Sequence, residues 1–122
     1  MRRRVLLIED ETFVARAFTR YLGEHDVRVA TGGREALALL TADPRVDAIV
    51  CDLAMPDMDG MMVHEALTSA FPGLERRMVF CSGGAQSQRV RDFLARTQLA
   101  LVEKPLSGAE LRAAVQRVWT SA

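Results

Sequence analysis

Five short runs of branched and apolar residues recur along the chain, at Val5–Ile8, Val27–Ala30, Val46–Cys51, Met78–Cys81 and Leu99–Val102. Each is nearly continuous in apolar character and too short for a helix, as expected of strands buried on both faces. The segments between them carry apolar residues at helical spacing instead. Val14, Ala17, Phe18, Tyr21 and Leu22 form the first stripe, ended by Gly23, and Ala36, Leu37, Leu39 and Leu40 form the second, with Gly32-Gly33 supplying its turn. Residues 61–70, with Met62, Val63, Ala66 and Leu67, predict a third helix, and residues 86–96 a fourth, with Val90, Phe93 and Leu94 turned inward. Ser107, followed by Glu110, has the form of a capping box for a last helix that buries Leu111, Ala114, Val115, Val118 and Trp119. A parallel strand pair needs a crossover segment, usually a helix, and the crossover is right-handed. Strict strand–helix alternation therefore gives α/β architecture, a doubly wound five-stranded parallel sheet.

The 122 residues suffice for one ordinary domain, expected to span 1–122. With 49% hydrophobic and 26% charged residues, a sizeable core is expected. Sixteen basic side chains cancel sixteen acidic ones, so no global field draws the chain to nucleic acid or to an anionic membrane. Partners must be recognised locally. No run approaches the roughly 20 apolar residues that cross a bilayer, and Arg2-Arg3-Arg4 leads straight into the first strand. These features place the domain in the cytoplasm. Cys51 and Cys81 end apolar runs and read as buried small hydrophobes, while His25 and His64 show no zinc spacing and read as packed or exposed side chains.

In an open parallel sheet, ligands bind outside the carboxyl ends of the strands. Four polar features fall there: Glu9-Asp10, Asp52, Ser82 and Lys104, each following a different strand. Packing alone does not require three acids and a lysine to meet where loops begin. Nearby carboxylates suit a hard cation, and Mg²⁺ prefers oxygen ligands in near-octahedral array. Glu9, Asp10 and Asp52 could share such an ion, directly or through water, and the backbone carbonyl of Ala54 could add another oxygen. Asp52 could then act as a covalent nucleophile toward a phosphoryl group, with Lys104 offsetting the transferred charge and the Ser82 hydroxyl bonding one of its oxygens. In the adjacent run Met55-Pro56-Asp57-Met58-Asp59-Gly60, Pro56 stiffens a turn, Asp57 and Asp59 suit turn or helix-start roles, and Gly60 suits a positive φ or a close approach.

The motifs VLLIEDE, DLAMPDMDG, CSGG and EKP, with the spacings between them, resemble a bacterial response-regulator receiver domain over essentially the full length. That resemblance puts Glu9 and Asp10 at the acidic pair, Asp52 at the phosphoacceptor, Ser82 at the switch hydroxyl and Lys104, followed by Pro105, at the site lysine. It implies a flavodoxin-like receiver fold of strand order 2-1-3-4-5. It also implies Mg²⁺-dependent transfer from a histidine kinase or histidine phosphotransfer domain, self-assisted hydrolysis, and altered binding of a downstream protein. Leu101 stands where the family often has Tyr or Phe, so no aromatic rotamer is available to report switching. Ala54 and Gly84 provide no side chain to direct an attacking water. VFCSGG, the segment around Arg89, Phe93 and Leu94, and LVEKPL also resemble receivers attached to hybrid sensor histidine kinases; a stand-alone receiver and a portion of a larger kinase both fit. The alternatives are a nonphosphorylated receiver-like binding module and an Mg²⁺-dependent aspartate-based phosphohydrolase, the latter disfavoured by Ala54 in place of a second acid.

Overall fold

The computed structural model describes residues 2–104 and 107–120; Pro105 lies outside the described residues. Strands β1 (Arg4–Ile8), β2 (Asp26–Ala30), β3 (Ala48–Asp52), β4 (Met78–Ser82) and β5 (Ala100–Glu103) alternate with α1 (Thr12–Tyr21), α2 (Gly33–Ala42), α3 (Gly60–Ala70), α4 (Gln88–Thr97) and α5 (Gly108–Thr120). A short 3₁₀ turn, Leu74–Arg77, precedes β4. All pairings are parallel and the order is β2-β1-β3-β4-β5, as the sequence resemblance implies.

Alternation along each strand sorts its side chains into two cores. Leu6, Ile8, Ile49, Cys51, Met78 and Phe80 pack with Ala36, Leu40, Val63, Leu67 and Phe93 of α2, α3 and α4. Val5, Leu7, Ala48, Val50, Val79 and Cys81 pack on the opposite face with Ala15, Phe18, Leu111, Ala114 and Val115 of α1 and α5. β3 and β4 are buried at every position, which accounts for their unbroken apolar character up to a polar last residue. Cys51 and Cys81 occupy different cores, and both are free thiols. Burial pushes the Cys81 thiol up to about 12 and raises Cys51 as well, so both are inert packing groups. No helix among the described residues is long and apolar enough to cross a membrane.

Most boundaries shift by at most one residue from the sequence expectation, and two starts shift by two, each for a local reason. Val46 is buried but lies ahead of β3, because its carbonyl accepts a bond from Arg77 Nη1 at 2.6 Å rather than joining the ladder. Helix α4 starts at Gln88, not Gln86, because the Ser87 hydroxyl caps it by accepting from Val90 N at 3.2 Å. The expected cap on α5 is present: Ser107 Oγ accepts from Glu110 N at 3.2 Å. His25 is a satisfied packing group, accepting from Arg3 N at 3.1 Å and standing edge-on to Trp119.

Candidate functional site

The ends of β1, β3, β4 and β5 deliver polar groups to the carboxyl edge of the sheet, and the backbone ladder extends just far enough to fix them. Glu9 N donates to Ala30 O at 3.0 Å, Leu53 N to Cys81 O at 2.9 Å, and Lys104 N to Ser82 O at 2.7 Å. These bonds hold the residues on either side of β1, β3 and β5 ends in register with their neighbours. Gly60 completes the wall. A Cβ there would stand 3.0 Å from the Asp52 carbonyl and 3.1 Å from Leu53, so the close-approach role applies, and Gly60 N donates to Leu53 O at 2.9 Å.

The sequence-predicted acids and lysine meet. Lys104 Nζ lies 2.6 Å from Glu9 Oε1 and 3.0 Å from Asp52 Oδ2, across separations of 95 and 52 residues. The second Glu9 oxygen accepts from Glu11 N at 3.1 Å, and Asp52 Oδ1 accepts from Ala54 N at 3.1 Å. Glu9 and Asp52 are buried and Asp10 is exposed, yet all three offer oxygens within 4.8 Å of one another. Among the described residues, the one ammonium bonded to this cluster of three carboxyl groups is that of Lys104, which meets Glu9 and Asp52. Burial pushes Glu9 up to about 7, against the opposing pull of Lys104. Burial alone would depress Lys104, but its bonds to Glu9 and Asp52 reverse that and hold it above its ordinary value, firmly charged.

A cation fits this donor set. Oxygens on opposite sides of an Mg²⁺ ion are about 4.2 Å apart, given bonds of about 2.1 Å, and the carboxylate cluster, with oxygens within 4.8 Å of one another, is able to coordinate a metal ion. Ala54 is exposed directly beside Asp52. Ser82 is buried at the end of β4, and its hydroxyl bonds within its own loop. Leu101 is half-buried, aligned with Phe80 across β4 and β5, and packs against the α2–α4 core.

Asp57 and Asp59 stand apart from the acid cluster at helix starts. Asp59 caps α3, accepting from Met62 N at 2.9 Å. Asp57 instead accepts from Arg34 N at 3.1 Å and Gly33 N at 3.4 Å, so it caps α2 from another loop. The Arg34 amide chiefly holds its carboxyl below the ordinary range. Gly32 is extended, with φ −173°, and its role is not a turn. A Cβ on Gly32 would stand 2.8 Å from Asp57 Oδ1, and one on Gly33 2.8 Å from Met58 Cβ. Both glycines thus admit the loop after Asp52. Asp57→Ala is expected to lower stability by about 1 kcal/mol in urea unfolding, as for loss of a helix cap.

Sequence reasoning assigned no role to Gln86. Its side chain bonds both Ser82 Oγ and, at 2.6 Å, the Gly84 carbonyl. The only sequence signal was its spacing four residues after Ser82, which reads equally well as the start of a helix.

A family described as response regulator receiver domain matches residues 5–116. The sensor kinase CckA of Brucella abortus is 32% identical over 117 residues, covering 93% of this chain and 12% of that protein. The tetrathionate response regulatory protein TtrR of Salmonella typhimurium is 29% identical over 116 residues, covering 93% of this chain and 55% of that protein. The chain thus spans less than two thirds of the length of these curated relatives. Among solved structures, the Francisella response regulator 1452 receiver domain is 25% identical, with a TM-score of 0.82 and 98% of each chain covered. The signal receiver domain of a histidine kinase from Syntrophus aciditrophicus is 24% identical with a TM-score of 0.78 over 98% of this chain and 92% of that one, a likeness of fold alone. The family match runs from the first buried residue of β1 into α5 and takes in all five strands and the whole acid cluster, so the chain belongs to the response-regulator receiver domain family.

Proposed function

We propose that Asp52 accepts a phosphoryl group from a histidine of a partner kinase or histidine phosphotransfer domain, with Mg²⁺ as cofactor, and that the phosphorylated form binds a downstream protein with altered affinity. The receiver so proposed occupies residues 1–122. The observation that carries the reading is the Lys104 ammonium, bonded to both Glu9 and Asp52 inside a cluster of three carboxyl groups. Two of its three N–H donors meet carboxylates, and the ammonium sits beside Asp52, where a transferred phosphoryl oxygen would need a cation.

Glu9, Asp10, Asp52 and the Ala54 carbonyl are the groups to hold Mg²⁺, directly or through water. Bound there, the ion supplies charge neutralisation for phosphoryl oxygens. Ala54 N–H and Lys104 fix the plane of the Asp52 carboxylate. One Asp52 oxygen attacks phosphorus; the O–P bond forms as the P–N bond of phosphohistidine breaks, and the leaving imidazole keeps the electron pair. Lys104 then balances the new negative charge, and the Ser82 hydroxyl donates to a phosphoryl oxygen. The added charge and oxygens shift the population toward a second arrangement of the β4–α4 loop and its neighbouring surface.

Beryllofluoride, a phosphoryl mimic, tests this reading by NMR. Saturable shifts centred on residues around Asp52, Ser82 and Lys104, present with Mg²⁺ and abolished in Asp10→Asn, are expected. Absence of any shift in the folded native chain with Mg²⁺ would overturn it.

A further inference from the structure

The Ser82 hydroxyl is already engaged, and its partners are all in its own loop. It accepts from the Gln86 side-chain amide and, weakly at 3.5 Å, from Gly84 N, and its own proton faces the Gly84 carbonyl at 3.4 Å. A hydroxyl has one proton and two lone pairs, so this set fills it. The Gln86 amide nitrogen is filled in turn, because it also donates to the Gly84 carbonyl at 2.6 Å. Gln86 is itself anchored to α4. Its backbone carbonyl accepts from Arg91 Nη1, Arg91 Nη2 donates to Gln88 Oε1 at 2.9 Å, and Gln88 Nε2 donates to Asp92 at 2.7 Å.

Building on the phosphoacceptor reading above, we propose that Gln86 is a positioning residue that holds the Ser82 hydroxyl on its own loop and so opposes its capture by a phosphoryl group on Asp52. The competition is local. A phosphoryl oxygen offers Ser82 a charge-assisted bond in exchange for its weak donation to Gly84, but the bond from the Gln86 amide resists any movement of the hydroxyl toward Asp52. Gln86 therefore favours the unphosphorylated arrangement, and Arg91 and Gln88 link its release to the first turn of α4. The lock sets how readily this receiver switches without touching the transferred group.

The test is beryllofluoride affinity with Mg²⁺, measured by NMR titration. Gln86→Met keeps the side-chain length and removes the donors. It is expected to tighten binding roughly fivefold, the worth of one ordinary hydrogen bond. In a Ser82→Ala background the same substitution is expected to change nothing, and in Ser82→Thr, which restores the hydroxyl, the gain is expected to return. Equal affinity of native and Gln86→Met chains would overturn the proposal, and so would an equal gain in the Ser82→Ala background, which would mark simple loosening of the loop. Failure of the native chain to bind beryllofluoride would instead refute the phosphoacceptor reading, and this proposal with it. The second failure is read on the native chain alone, the first only by comparison with the variants.

Discussion

Lys104→Met is expected to slow phosphoryl uptake from acetyl phosphate about a hundredfold or more while leaving a folded chain. Among the described residues Lys104 supplies the one ammonium bonded to Asp52, and loss of one preorganised charge-stabilising donor costs about 10²–10³ in rate. Methionine preserves the apolar stem, so the packing of a side chain only 15% exposed changes little. The fold survives because Glu9 has an alternative to a buried unpaired charge. Burial already pushes it up to about 7, and removal of the lysine allows it to take a proton at neutral pH. Intact-mass kinetics give the rate, and circular dichroism gives the fold. Uptake within twofold of native would show that Lys104 plays no part in the transfer.

Phe80→Ala is expected to destabilise the chain by about 3–5 kcal/mol in urea unfolding, the usual cost of removing a buried aromatic ring. Phe80 is fully buried on a strand paired on both sides, and meets Phe93 edge to face with ring centroids 5.5 Å apart. Phe93 is the buried anchor of α4, so the cavity would loosen both the sheet and the helix that carries the switch loop. Against a typical total of about 5–15 kcal/mol, this single change removes a large share of stability. A loss below about 1 kcal/mol would mean that the α2–α4 core collapses around the gap.

The sheet was legible because buried parallel strands leave nearly continuous apolar runs, and β1, β3 and β4 have little else. The helical stripes likewise named Phe18, Leu67, Leu111 and Val115 as inward residues or their neighbours, and each is buried. The site was legible for a topological reason: a strand's last residue lands at one edge of the sheet, so Asp52 and Ser82 end β3 and β4 while Glu9 and Lys104 follow β1 and β5. Contacts between loops were not legible. Nothing in the sequence ties Asp57 to the start of α2 or explains Gly32 by the space Asp57 needs, since both depend on how two distant loops meet. Val46 shows the same limit at a strand end, where Arg77, 31 residues away, takes a carbonyl that apolar patterning assigns to the ladder. Gln86 was hidden by its place at the mouth of α4, where helix periodicity and loop chemistry give the same sequence signal.

Asp52 is the proposed carrier of the transferred phosphoryl group. Intact-protein mass spectrometry after incubation with acetyl phosphate, with and without Mg²⁺, compares the native chain with Asp52→Asn. A gain of about 80 Da, the mass of one added phosphoryl group, is expected in the native chain with Mg²⁺ only, and none in the folded variant. The same Mg²⁺-dependent gain in Asp52→Asn would contradict it.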